Sequence, residues 1–170
     1  MTISMSSASL PIFRTMLGNL DHFLDKAVAH AQARKFDPLV LAGSRLAPDM
    51  LPFTRQVQIA CDGPKNGMAR IAGVEAPKYE DNEQTFDELK ARIAKTLAWL
   101  DSIPAGKVDG TEDKDITFPV RDQTRTMKAE AYLKHWVLPN FFFHVTTAYA
   151  ILRHNGVELG KADYLAGGNR

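Results

Sequence analysis

The sequence predicts an all-α protein, a four-helix bundle with a small hairpin before the last helix. Three observations carry this. Four segments place apolar residues at three- and four-residue steps. Runs of alternating polar and apolar residues are almost absent. Helix punctuation stands where each segment begins or ends.

The first helix is expected from about Ser7 to Lys35, where Leu10, Phe13, Leu17, Leu20, Leu24, Ala27 and Ala31 form one stripe. Pro11 suits its first turn, and Asp37-Pro38 is expected to end it. A short segment, Pro38 to Leu46, leads to a second helix from near Pro52 to Gly73. Gly63-Pro64 is expected to interrupt that helix with a kink, since proline removes the bond to residue 60. After a polar loop, Glu75 to Glu83, the pair Thr85 and Glu88 has capping-box spacing and starts a third helix that runs to about Ser102. Residues 104–115 form a solvated connection. Ile116–Val120 and Thr124–Lys128 flank an Arg-Asp-Gln turn and can pair as a hairpin, which Pro119 confines to an edge. The last helix is expected over Ala129–His154 with a break at Pro139, and Asn155-Gly156 stops it.

Composition narrows the function. The 170 residues suffice for one domain, residues 1–170, with 45% hydrophobic and 24% charged residues. A core of that size needs no metal or disulfide to form. Lys plus Arg exceeds Asp plus Glu by 21 − 20 = 1, too even a balance for the phosphate attraction of nucleic-acid binders. Cys61 is the single cysteine, which excludes an internal disulfide and cysteine-based metal sites and fits a reducing cytoplasm. No leader pattern opens the sequence. The uncharged stretch Trp136–Leu152 contains Pro139, Asn140 and His144 and reads as a buried helix, not a membrane span.

Phosphate and nucleophile motifs are missing. The run Gly156 to Lys161 is one residue short of a Walker loop, lacks the following Ser or Thr, and comes after a helix. The histidines remain. His22 falls opposite the apolar stripe of its helix and His30 on the flank, so both read as surface, as does His135. His154 suits the negative end of the last helix. His144 lies about 60° from the apolar stripe of Phe141, Val145, Ala148 and Leu152, so it is expected to be at least half buried. Asn140 and Thr147 share its side. A core histidine satisfied by a neighbour explains it without a site, and a binding or general-base role is the functional alternative. Gln58 and Asp62, with Lys65 nearby, offer matching four-residue spacing on the second helix, where a solvated face is the plain alternative.

The run Pro139-Asn140-Phe141-Phe142-Phe143-His144 through Asn155-Gly156-Val157 to Leu165 resembles the carboxy-terminal signature of a bacterial domain-of-unknown-function family related to the DinB/YfiT-like helical proteins. Gln56–Ala60 and Ala69–Glu75 resemble that family's second helix. The resemblance covers nearly the whole chain. It implies a DinB-like four-helix bundle, usually dimeric, in a superfamily that includes metal-dependent thiol S-transferases and hydrolases. The superfamily's metal is held by a histidine on the second helix and a His-x-x-x-His pair on the last. In this chain His144 matches the second member of the pair, Asn140 stands in place of the first, and Gln58 is the nearest match on the second helix. Two of three imidazoles are absent, and amide oxygens replace them poorly for zinc or nickel, so no metal is expected.

Two functions fit these residues. One is a cytoplasmic DinB-like protein whose pocket near His144, Asn140, Gln58 and Asp62 binds a small molecule and transfers or hydrolyses a group, with Asp62 orienting the imidazole; no cofactor is named by the sequence. The other is a non-enzymatic dimer that has lost the metal and serves binding or a stress response. Phe141, Phe142 and Phe143 spread over about 200° of helix surface, more than one core covers, so something must cover the other side. The first helix, the hairpin or the 104–128 segment could do so within the chain, and a homodimer, the commonest solution and the one the resemblance implies, is expected. Nucleic acid and membrane are not expected partners.

Overall fold

The computed structural model describes residues 3–167. Four long helices dominate: α1 (Leu10–Arg34), α3 (Phe53–Ala72), α4 (Phe86–Asp101) and α6 (Leu138–His154), with short helices α2 (Leu39–Ala42), α5 (Ala129–Tyr132) and α7 (Lys161–Ala166). The apolar stripe of α1 is buried end to end, from Phe13 and Leu17 to Ala27 and Ala31. Lys35, not Asp37-Pro38, ends this helix: it turns left-handed at φ 58°, and the Phe36 amide folds back onto the Ala31 carbonyl. At α4 the capping box forms as its spacing requires, with Thr85 accepting from the Glu88 amide and Glu88 from that of Thr85.

The long helices pack α1 on α4, α4 on α3, α3 on α6 and α6 on α1, closing a ring around one core that includes Phe13, Leu20, Phe53, Met68, Ile93 and Phe141. Among the described residues no helix is long and apolar enough to cross a membrane.

Three expectations need correction. The hairpin forms, so the protein is mostly helical with a small antiparallel sheet and is not purely all-α. Strand β1 (Asp115–Val120) pairs with β2 (Gln123–Lys128) in the register Asp115 with Lys128 and Val120 with Gln123, leaving a two-residue turn at Arg121-Asp122. Ile116 and Phe118 point inward, and the Phe118 ring lies 4.6 Å from Tyr132 and 5.1 Å from Trp136. Next, α3 runs through Pro64 without interruption. One missing amide costs a single bond, which the packing of α3 against both α4 and α6 offsets. Finally, Pro139 does not break the last helix. The chain passes from α5 through one wide, π-type turn (Leu133–Val137) into α6, and that turn absorbs the defect left by the proline's missing N–H.

His22 is not the free surface residue its phase suggests. Its Nε2 lies 3.2 Å from Asp163 on α7, and Lys26 Nζ lies 3.1 Å from the same oxygen. The Gly160 amide donates to this carboxyl, and with those neighbours it holds Asp163 down at about 2. His30 is half-buried with its ring against Phe36, while His135 and His154 are exposed.

Candidate functional site

Helix α3 carries polar side chains toward two neighbours, α4 and the segment that leads into α6. Toward α4, the centre is Arg92, whose side chain is 1% exposed. The phase explains its depth: Arg92 lies three residues after Leu89 and four before Thr96, both buried, so it shares the inward face of α4. Its guanidinium reaches Asp62 at 2.9 Å, Asp81 at 2.8 Å and Glu83 at 2.9 Å. The loop before α4 is thereby strapped onto the helices. Asp62 Oδ1 also lies 2.9 Å from Lys65 Nζ, but neither cation meets it in hydrogen-bond geometry, and the attraction is ionic. Burial alone raises Glu83, yet bonds from Arg92, from the loop backbone and from Gln58 outweigh it and hold the carboxyl low. For Asp81 burial again pushes upward, and Arg55 and Arg92 overcome it.

The strap also brings Tyr79 over this cluster. Lys65 Nζ lies 3.9 Å, Lys95 Nζ 4.7 Å and Arg92 Cζ 4.8 Å from the ring centroid, three cations around one aromatic ring. Beneath it, Cys61 is fully buried, and burial pushes its thiol up to about 12, so it is inert as a nucleophile.

Gln58 belongs to this side. Its Oε1 accepts from Arg55 Nη1 at 2.6 Å, and its Nε2 donates to Glu83 at 2.8 Å. The α3 residue that meets His144 is Gln56. The Gln56 amide nitrogen donates to the Leu51 carbonyl at 3.0 Å, which leaves its oxygen to accept from His144 Nδ1 at 2.7 Å. The network thus assigns the ring proton to Nδ1. Burial lowers the imidazole to about 4, so His144, 8% exposed, is neutral near pH 7.

Asp62 and Asn140 do come together. They line a cleft of about 180 Å³ between α3 and the wide turn, with Asn66, Arg70, Tyr132 and Trp136. Sequence reasoning passed over these last four, although their spacing was visible: 62, 66 and 70 step by one helical turn, as do 132, 136 and 140. The two rows run antiparallel, with Arg70 Nη1 donating to the Tyr132 hydroxyl at 2.9 Å at one end and Asn140 beside Gly63 at the other. Close approach depends on Gly67, where a Cβ would stand 2.7 Å from a Val137 methyl.

A metal of the superfamily type does not suit this chain. Of its three positions, Gln58 has both amide atoms engaged with Arg55 and Glu83, Asn140 offers an amide in the cleft, and His144 is turned to Gln56. Among the described residues no three His, Cys, Asp or Glu side chains are grouped to hold a metal ion.

The model of a domain of unknown function, DUF1993, matches residues 5–165. A crystal structure of a DinB family member protein from Shewanella denitrificans is similar over 93% of this chain and 89% of that one, with 42% sequence identity and a TM-score of 0.88. No curated protein matches the chain.

Proposed function

We propose, on the premise that the chain belongs to the DUF1993 family and is DinB-like, that it binds a small molecule in the cleft between α3 and the wide turn, without a metal. The observation that carries the reading is the pair of facing rows, Asp62, Asn66 and Arg70 against Tyr132, Trp136 and Asn140, beside a π-type turn. Wide turns of this kind occur often at functional sites. Convergent polar groups with an aromatic wall are what a small-molecule site requires. His144 does not line this cleft and is committed to Gln56, which favours binding over general-base chemistry. A fragment screen followed by NMR tests the reading: hits are expected to shift the Trp136 indole N–H. Hits that leave it unmoved and cluster elsewhere would overturn the proposal.

A second reading concerns assembly, and the exposed face of α6 favours it. Phe143 is 57% exposed and forms, with Leu46, Met50, Pro139 and Phe142, an apolar surface hollow. A homodimer covering this face is expected to show about twice the 18.9 kDa chain mass in light scattering. A mass near one chain at micromolar concentration would remove it.

A further inference from the structure

The same cleft carries an asymmetry of charge that points to a ligand class. At one end, the Asp62 carboxylate already faces two cations, Lys65 and Arg92, each 2.9 Å away. At the other end, Arg70 forms no ion pair among the described residues. Its one side-chain hydrogen bond there goes to the neutral Tyr132 hydroxyl. Two further cations stand close: Lys114 Nζ lies 3.2 Å from the Arg70 carbonyl, and the Arg125 guanidinium lies 5.8 Å from the Trp136 ring. The unbalanced charge in the cleft is therefore positive and sits at the Arg70 end.

Asn66, midway along its row, and Asn140, at the Asp62 end beside Gly63, have no side-chain hydrogen-bond partner among the described residues, so both amides are available to a ligand. Trp136 supplies a flat apolar wall, and Ile59 and Val137 extend it. The π-type turn keeps the second row aligned. Residues four apart on an α-helix drift by about 40° per step, and a turn with more residues per revolution reduces that drift.

Resting on the proposed binding site, we infer that the cleft takes a small organic monocarboxylate. The guanidinium fork of Arg70 meets the carboxylate, the Trp136 face meets a planar or short apolar body, and the two amides meet a hydroxyl or carbonyl substituent. The size of about 180 Å³ limits the body to roughly one ring, since drug-sized ligands occupy pockets of about 300 Å³ and more.

Titration with benzoate and with benzamide, its uncharged counterpart, followed through the Trp136 indole N–H signal, tests this on the full chain. Saturable benzoate binding is expected, at least tenfold tighter than benzamide. Arg70→Gln should weaken benzoate at least tenfold and leave benzamide unchanged, and Arg70→Lys should fall between. A cooperative melt and a parent-like amide spectrum away from the cleft show that the fold of both variants is intact. Equal affinity for the two probes, or benzoate binding indifferent to Arg70→Gln, overturns the inference while the binding site stands. If neither probe moves the Trp136 signal at millimolar concentration, the inference falls, and the binding site falls with it only where the fragment screen also leaves that signal unmoved.

Discussion

The two polar sides of α3 follow different rules. Toward α4, Gln58, Asp62 and Lys65 join Arg92, Asp81 and Glu83 in a network in which every charge has an opposite within reach. Toward the wide turn, Asn66, Arg70 and Asn140 keep donors and acceptors unspent. Polar residues that are buried and paired hold a fold, whereas polar residues gathered in a hollow without partners are free to hold something else. Asp62 touches both sides and divides them, its charge used on one and its position on the other.

The sharpest way to break this contrast is Arg92→Met. Removing the guanidinium leaves Asp62, Asp81 and Glu83 facing one another, and a loss of about 3 to 5 kcal/mol is expected in urea unfolding. Arg70→Gln should cost only about 1 kcal/mol, the worth of its one hydrogen bond to the Tyr132 hydroxyl, since its side chain is half-buried at the cleft rim with no ion pair among the described residues. Equal losses would erase the distinction.

Gly67→Ala probes the contact that joins α3 to the wide turn. The new methyl would stand 2.7 Å and 2.9 Å from the two Val137 methyls, and overpacking of this kind costs about 1 to 3 kcal/mol. A thermal melt reads it, and Val137→Ala in the same chain should restore part of the loss.

Acid separates the α4 network from the His144 contact with Gln56. His144 has its pKa lowered from 6.5 to about 4, so the unfolded chain binds more protons between those values and stability falls as pH drops below 6.5. The slope approaches about 1.4 kcal/mol per pH unit until the folded imidazole protonates. Glu83 and Asp81, also lowered, contribute stability that is present above their ordinary values of 4.5 and 3.8 and is lost only as pH falls further. His144→Gln should flatten the curve between pH 6.5 and 4 and leave the lower limb in place. A curve unchanged by that substitution would detach His144 from the acid response.

The smallest effect belongs to the cleft amides. Asn66→Ala and Asn140→Ala are each expected within about 0.5 kcal/mol of the parent, because neither side chain has a bond to lose among the described residues. A larger loss in chemical unfolding would show that these residues serve the fold.

Much of the fold was legible because one face of each long helix is buried: Phe13 to Ala31 on α1 and Leu89 to Leu100 on α4 are spaced as the core requires. The hairpin was legible in its polar turn, though Gln123 proved to belong to β2 and not to the turn. What spacing could not show was how proline is accommodated. Pro64 and Pro139 look like breaks to a rule that counts lost hydrogen bonds, and tertiary packing and a widened turn overruled it. The short helix α7 was missed as well, being too brief for periodicity and held by Asp163 against His22 and Lys26.

The site was half legible. Asn140 and Asp62 were singled out and share the cleft, but Gln58 and His144 were grouped with them and point elsewhere. Family position led to Gln58, whereas the helix crossing turns Gln56 to His144. The depth of Arg92, which sequence reasoning passed over, follows from its spacing to Leu89 and Thr96, although its charge argues for the surface.

The wide turn also decides what an insertion or deletion would do. Elsewhere in a long helix, losing one residue either breaks the hydrogen-bond ladder or misplaces a core face. Between Leu133 and Val137 the ladder already holds a surplus, so deleting one residue lets ordinary helical bonding resume. The preceding segment would then keep its phase around the axis, because five residues of the wide turn sweep about the same angle as four of an α-helix, and Tyr132 would still face Arg70 with the hairpin in place. A chain one residue shorter here would keep the same four long helices and the same facing rows, and would lose only the widening beside the cleft.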